Sequence, residues 1–207
     1  MHTGIIDLIR KCDRVRVAFT VGTISGALSI GTLLSTLALI QPAQAADEAA
    51  IKRLIETNEC EGCDLHEADL RRLDLSGANL NGADLEGANF YYANLDGAQL
   101  NGANMVDVNL GYASARGTVM DGADLRYAIF DRTDLTNASM MQADLRESYI
   151  DGAILTNTKL DDADMRDTLF IAADFSTASL CGALTWSGIE YRRGCSVAVP
   201  EEIDDQR

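Results

Sequence analysis

A five-residue beat constrains this chain more than any other feature. Counting from Leu65 in steps of five, all 24 residues to Leu180 are apolar, with no insertion between them. In a chain that is 47% apolar overall, chance would give such a run at about 10⁻⁸. Two places before each of these residues stands a small one, Ala at 16 of the 24 positions and Thr at four. Between the two falls mostly Asp or Asn, and Gly is frequent at the end of the unit, as at Gly77, Gly82 and Gly87.

Neither common element can use this period. Five steps along an α-helix rotate about 140° and scatter the large residues around the axis, while on a strand an odd period sends them to alternate faces. All of them can point inward only if the chain turns a corner once per unit. Its backbone groups must then pair with the turns above and below. The number of sides is readable as well. Asp124-Leu125-Arg126, Asp144-Leu145-Arg146 and Asp164-Met165-Arg166 recur every 20 residues, and the interior Phe90, Phe130 and Phe170 fall 40 apart. Twenty residues per turn means four sides, and 24 units make about six coils. The expected fold is an all-β solenoid around one dry channel.

These alanine, acid-or-amide, leucine units from Cys63 to Gly182 resemble the pentapeptide-repeat family. The resemblance implies a right-handed quadrilateral β-helix. The opening Cys60-Glu61-Gly62-Cys63-Asp64-Leu65, after a short helix, is similar to that of exported members found in the thylakoid lumen or periplasm of cyanobacteria and in chloroplast lumens. Such a resemblance specifies a fold far more closely than an activity.

Outside the repeats, residues 1–45 read as a signal peptide. Arg10, Lys11, Arg14 and Arg16 form a basic start, residues 17–40 are uncharged and apolar, and Pro42-Ala43-Gln44-Ala45 offers small residues where a peptidase cuts. The alternative keeps residues 17–40 as an anchor, since 24 residues can span a bilayer. In either case the remainder lies outside the cytoplasm, because basic residues stay on the cytoplasmic side. Cleavage predicts no stable membrane insertion and a periplasmic or thylakoid-lumen location. Residues 46–59 are expected to form a capping helix with Ala50, Ile51, Leu54 and Ile55 on one face. Residues 60–182 form the β-helix, and residues 183–207 a C-terminal cap, begun by Trp186, Ile189 and Tyr191, with a loose acidic tail from Glu201.

Removing Cys12 with the signal peptide leaves four cysteines, an even number that favours disulfides in an exported protein. Cys181 and Cys195 bracket the C-terminal plug, and a bond between them would tie it down. Cys60 and Cys63 lie on the inward phase and read as a capping disulfide, as two buried thiols, or as a redox-active pair, the last without its usual βαβ setting. Haem attachment fails because Asp64, not His, follows Cys63. Zinc on Cys60, Cys63 and His66 also fits poorly, since His66 falls on an outward phase; it reads as a solvated surface residue, and neither a metal nor another cofactor is expected.

The outer positions differ from side to side. One side stacks Asp64, Asp84, Asp124, Asp144 and Asp164, with Arg126, Arg146 and Arg166 two places beyond the last three, a pattern for a ladder of surface ion pairs. The next side places Ile129, Tyr149 and Leu169 where Asp or Asn is usual, beside Ile171 and Ala172, with Tyr91, Tyr92 and Tyr112 nearer the N-terminus. An apolar strip on an acidic surface is a pattern for contact with a partner protein, including a second copy of the chain.

The formal net charge of −15 repels phosphate backbones, which argues against nucleic-acid binding. The same charge permits a second class of function, seen in pentapeptide-repeat proteins that mimic DNA and bind gyrase, but that role requires the cytoplasm. No His-based constellation, phosphate loop or nucleophile motif is present, so catalysis is not expected. The reading is a rigid, non-catalytic scaffold that binds protein, with a redox-responsive Cys60/Cys63 pair as a further alternative.

Overall fold

The structure, a computed structural model, describes residues 47–185 together with 187 and 188. The signal segment, Cys12, Cys195, Trp186, Ile189, Tyr191 and the acidic tail lie outside the described residues. Everything described belongs to one compact unit, Gln41–Arg207.

The first element is α1, Glu48–Thr57. Asp47 caps it by accepting a 2.9 Å bond from the Ala49 amide, and Asn58 ends it in the left-handed region at φ 57°. Ala50 and Leu54 are buried in the main core cluster, and Ile51 packs against it. Ile55, expected on the same face, is 54% exposed. Ala50 and Leu54 point within about 40° of each other, whereas Ile55 lies about 140° around from Ala50, beyond the contact.

From Glu59 onward the residue before each inward one pairs in parallel with the residue 20 places later, from Glu59 with Asn79 to Asp164 with Leu184, except that Ile154 makes no such bridge to Asp174. One such pairing, Tyr149 with Leu169, lengthens into two short strands, β1 (Tyr149–Asp151) and β2 (Leu169–Ile171), in register through to Asp151 with Ile171. The backbone groups on either side of each inward residue are satisfied across coils: the Leu65 amide donates to the Asp84 carbonyl at 2.7 Å, and the Asp84 amide to the Cys63 carbonyl at 2.9 Å. Corners close within the unit, as where the Ala93 amide donates to the Phe90 carbonyl at 2.8 Å. The residue before the small one adopts positive φ, which explains the frequent glycine. Tyr92 at φ 61° and Tyr112 at φ 58° hold the same conformation without that freedom.

From Leu65 to Met165, the five-step residues are all buried, with Leu65, Phe90, Leu125 and Phe130 at 0% exposure. Phe170, Phe175 and Leu180 are only partly buried, although they share the phase and pack against the core. Full burial needs a wall on every side, and those three stand near the end of the described stack. At the small inward position, the four threonines each donate across to a main-chain carbonyl 23 residues earlier, as Thr118 Oγ1 to Leu95 at 2.7 Å and Thr168 Oγ1 to Leu145 at 2.7 Å. Ser148 occupies an equivalent position, but its buried hydroxyl has no partner. Among the described residues no helix is long and apolar enough to cross a membrane.

Candidate functional site

Because the interior positions are occupied by packing, the chemistry sits on the outward columns. The first column runs Asp64, Asp84, Asn104, Asp124, Asp144, Asp164. In its upper part each Asp meets the Arg two places on through a two-pronged contact. Arg126 Nε and Nη2 donate to Asp124 at 2.7 Å each, Arg146 to Asp144 at 2.8 and 2.5 Å, and Arg166 to Asp164 at 2.9 and 2.6 Å. The rungs also interlock, since Arg126 Nε lies 3.8 Å from Asp144 and Arg146 Nε 3.7 Å from Asp164. The guanidinium hydrogen bonds hold Asp124 and Asp164 below the ordinary carboxylate range. Tyr127, beside them, donates to Glu147 at 3.0 Å, and that bond and the carboxylate charge raise its phenol.

The lower part of the same face is composed differently. His66 and Glu86 occupy the places that arginines take above, and their ligand atoms lie within 4.8 Å of one another and of Asp84. Asn104 Nδ2 donates to Asp84 at 2.9 Å and to Glu86 at 3.3 Å. Sequence reasoning set His66 against the cysteines and read it as solvated; the side chain is 32% exposed and 3.8 Å from Glu67. The spacing of 20 between His66 and Glu86 was the available signal. Asp107, next along, is pushed above the ordinary range by burial and then by the charge of Glu86.

The neighbouring column runs Asp69, Asn89, Asn109, Ile129, Tyr149, Leu169. Leu169 and Ile171 are 53% and 45% exposed, while Ile129 and Tyr149 are half-buried. Lower down, the three tyrosines form one cluster: Tyr91 meets Tyr92 edge-on at 4.6 Å, and Tyr92 stacks on Tyr112 at 5.0 Å. Tyr91 is half-buried rather than outward, because Gly111 leaves its ring room; a Cβ there would stand 3.1 Å from the ring. Arg132 donates to the Tyr112 hydroxyl at 2.7 Å, with its guanidinium 5.4 Å from the ring centre. A cleft beside Tyr91 is lined by Asp69, Arg71 and Arg72. There Arg71 grips Asp69 through two 2.6 Å bonds, a pair that the string Asp69-Leu70-Arg71 could have disclosed by analogy with the ladder.

At the N-terminal end Cys60 and Cys63 are joined by a disulfide with Cα atoms 5.2 Å apart. Cys60 is fully buried, with its sulfur 3.4 Å from the Ala50 carbonyl oxygen. With both sulfurs oxidised, neither is a thiolate ligand for a metal. Cys181 is also disulfide-bonded, to a partner outside the described residues.

Residues 68–105, 103–142, 138–176 and 150–184 match the profile of pentapeptide repeats, in eight copies covering more than half of the 207 residues. The chain belongs to the pentapeptide-repeat family. Pentapeptide-repeat proteins are right-handed quadrilateral β-helices and are generally non-catalytic structural or binding proteins. A crystal structure of one, Rfr23 from the cyanobacterium Cyanothece 51142, matches with a TM-score of 0.50 at 22% identity, covering 63% of this chain and 97% of that one. A pentapeptide-repeat protein from the Arabidopsis thaliana thylakoid lumen matches at 28% identity and a TM-score of 0.25, over 56% of this chain and 66% of that one. QnrB1, a plasmid-mediated fluoroquinolone resistance protein, matches at 22% identity and 0.37, over 59% and 65%. None of the curated proteins compared with the chain matches it significantly.

Proposed function

We infer that the chain is an exported, non-catalytic pentapeptide-repeat scaffold that binds protein through the face carrying the tyrosine cluster, Ile129, Tyr149 and Leu169. The observation that carries this reading is the unbroken run of Ile129, Tyr149 and Leu169 on successive bridged rungs, ending in the exposed Leu169 and Ile171. These side chains replace the Asp or Asn of other rungs and add nothing to the inner packing. Left in water they are unfavourable, and the Tyr and Arg beside them are the residue types that anchor interfaces. The partner is a protein, and a second copy of the chain is the candidate that can be tested directly.

In this reading the solenoid has six coils. It is capped by α1 with the Cys60–Cys63 disulfide at one end and by residues 183–207 at the other, with residues 1–45 removed as a signal peptide. The compartment is the periplasm or the thylakoid lumen. DNA mimicry is the weaker reading, because Arg126, Arg146 and Arg166 neutralise the upper half of the column that would stand in for phosphates and so break its run of negative charge. Redox signalling is weaker too, since the pair lacks the βαβ setting of redox-active Cys-x-x-Cys sites and Cys60 is fully buried.

Light scattering tests the self-association. The wild-type chain is expected at twice the monomer mass and Leu169→Asp at one; monomer masses for both reject a dimer. Sequencing the N-terminus of protein taken from its native cells tests export, with Ala46 the expected first residue.

A further inference from the structure

We propose that His66, Asp84 and Glu86 bind one divalent transition-metal ion of the zinc class, clasping two successive coils together. The argument starts from the repetition of the face. On the upper rungs every column carboxylate has a guanidinium two residues on, and the charges close among themselves. On the lower rungs the carboxylates remain, but the places of those arginines hold an imidazole and a further carboxylate, both of which are metal donors. No Lys or Arg forms an ion pair with Asp64, Glu67, Asp84, Glu86 or Asp107 among the described residues, so this group carries its negative charge uncompensated by the protein.

The donors are also near enough to converge. One ligand atom from each of His66, Asp84 and Glu86 lies within 4.8 Å of the others. Zinc bonds of about 2.0–2.1 Å place tetrahedral donors about 3.4 Å apart, so the three must draw in by at most about 1.4 Å. Rotations of partly exposed side chains supply that movement. His66 and Glu86 stand two residues beyond the bridged pair Asp64 and Asp84, so the backbone ladder already fixes their spacing. Asn104 orients Asp84 and Glu86 from the coil above through its amide, the kind of outer support that metal carboxylates use. Three protein ligands leave a fourth position for water. The imidazole decides the class of ion, because a nitrogen donor favours zinc, copper, nickel or cobalt over calcium and magnesium, which prefer oxygen alone.

The test titrates Zn²⁺ into the metal-free 207-residue chain by calorimetry, without reductant and in a Cys12→Ser background that removes a competing thiol. One ion per chain is expected, with binding weakened at least about tenfold in His66→Asn and in Glu86→Gln and unchanged in Asp164→Asn. Zn²⁺ should raise the melting temperature of the parent and not of His66→Asn, while without metal the two should melt alike, which separates a lost ligand from a lost fold. Co²⁺ in the site should give visible absorption that His66→Asn abolishes. Unchanged Zn²⁺ binding in His66→Asn, or Ca²⁺ binding as tight as Zn²⁺ binding, would overturn the proposal in favour of a diffuse acidic surface.

Discussion

Along the column from Asp64 to Asp164, two regions of one face stand over matching interiors. Leu65, Leu85 and Met105 lie beneath the lower rungs and Leu125, Leu145 and Met165 beneath the upper, all no more than 1% exposed. Above that common floor the upper rungs form a ladder of bidentate ion pairs, while the lower rungs gather carboxylates around His66. The inward residues are therefore set by the requirements of stacking, and the outward ones are left open to specialise rung by rung. Fold and function are read from different columns of the same repeat.

The strongest test of that separation is inside. Leu85→Ala and Leu145→Ala should each cost about 2–5 kcal/mol in chemical denaturation, and by similar amounts, although the surfaces above them differ. A difference larger than that range would tie the interior to the face above it. Ser148→Ala should act in the opposite direction, gaining about 1 kcal/mol in the same measurement, because its buried hydroxyl lacks the carbonyl partner that Thr168 finds in Leu145. A loss of stability would show that the hydroxyl is satisfied after all.

The smallest effects, read from stability against pH, should have opposite signs in the two regions. Asp124 and Asp164 are held below the ordinary carboxylate range, so the stability they contribute is present above that range and is lost as pH falls from it through their lowered values. Asp107 is held above the range, so its charged form is unfavourable at neutral pH, and the penalty is relieved as pH falls through its raised value. Asp164→Asn should accordingly be less stable than the parent at neutral pH and Asp107→Asn more stable, and both differences should vanish in strong acid. Shifts of the same sign would mean that net charge, and not local pairing, controls this face. The ladder itself is solvent-facing, and Arg146→Ala should have the smallest effect of all on stability, shrinking further in high salt.

The interior was legible because its rule repeats without interruption: one apolar residue per five, one corner per unit, one return per twenty. Where the environment departs from the repeat, the sequence was a poorer guide. Ile55 matches a helical face by spacing, yet the contact is too narrow to reach it. Phe170, Phe175 and Leu180 keep the phase, but their burial depends on what lies beyond them, which periodicity does not encode. Tyr91 reads as outward by position, and only the absence of a side chain at Gly111 lets its ring settle. The grouping around His66 was missed for a different reason. His66 was compared with its neighbours in sequence, Cys60 and Cys63, when its neighbours in space are found by stepping one coil along, to Glu86.

The twenty-residue offset of every bridge has a mechanical consequence. Tension on the chain ends loads the terminal rung first, because each coil is held only by the ones next to it, and the stack peels in order rather than giving way at once. Each coil that lets go would pay out about 70 Å of slack. Such a molecule yields under load in even steps, and a ligand clasping two coils would appear in a pulling trace as one step that resists longer than the rest.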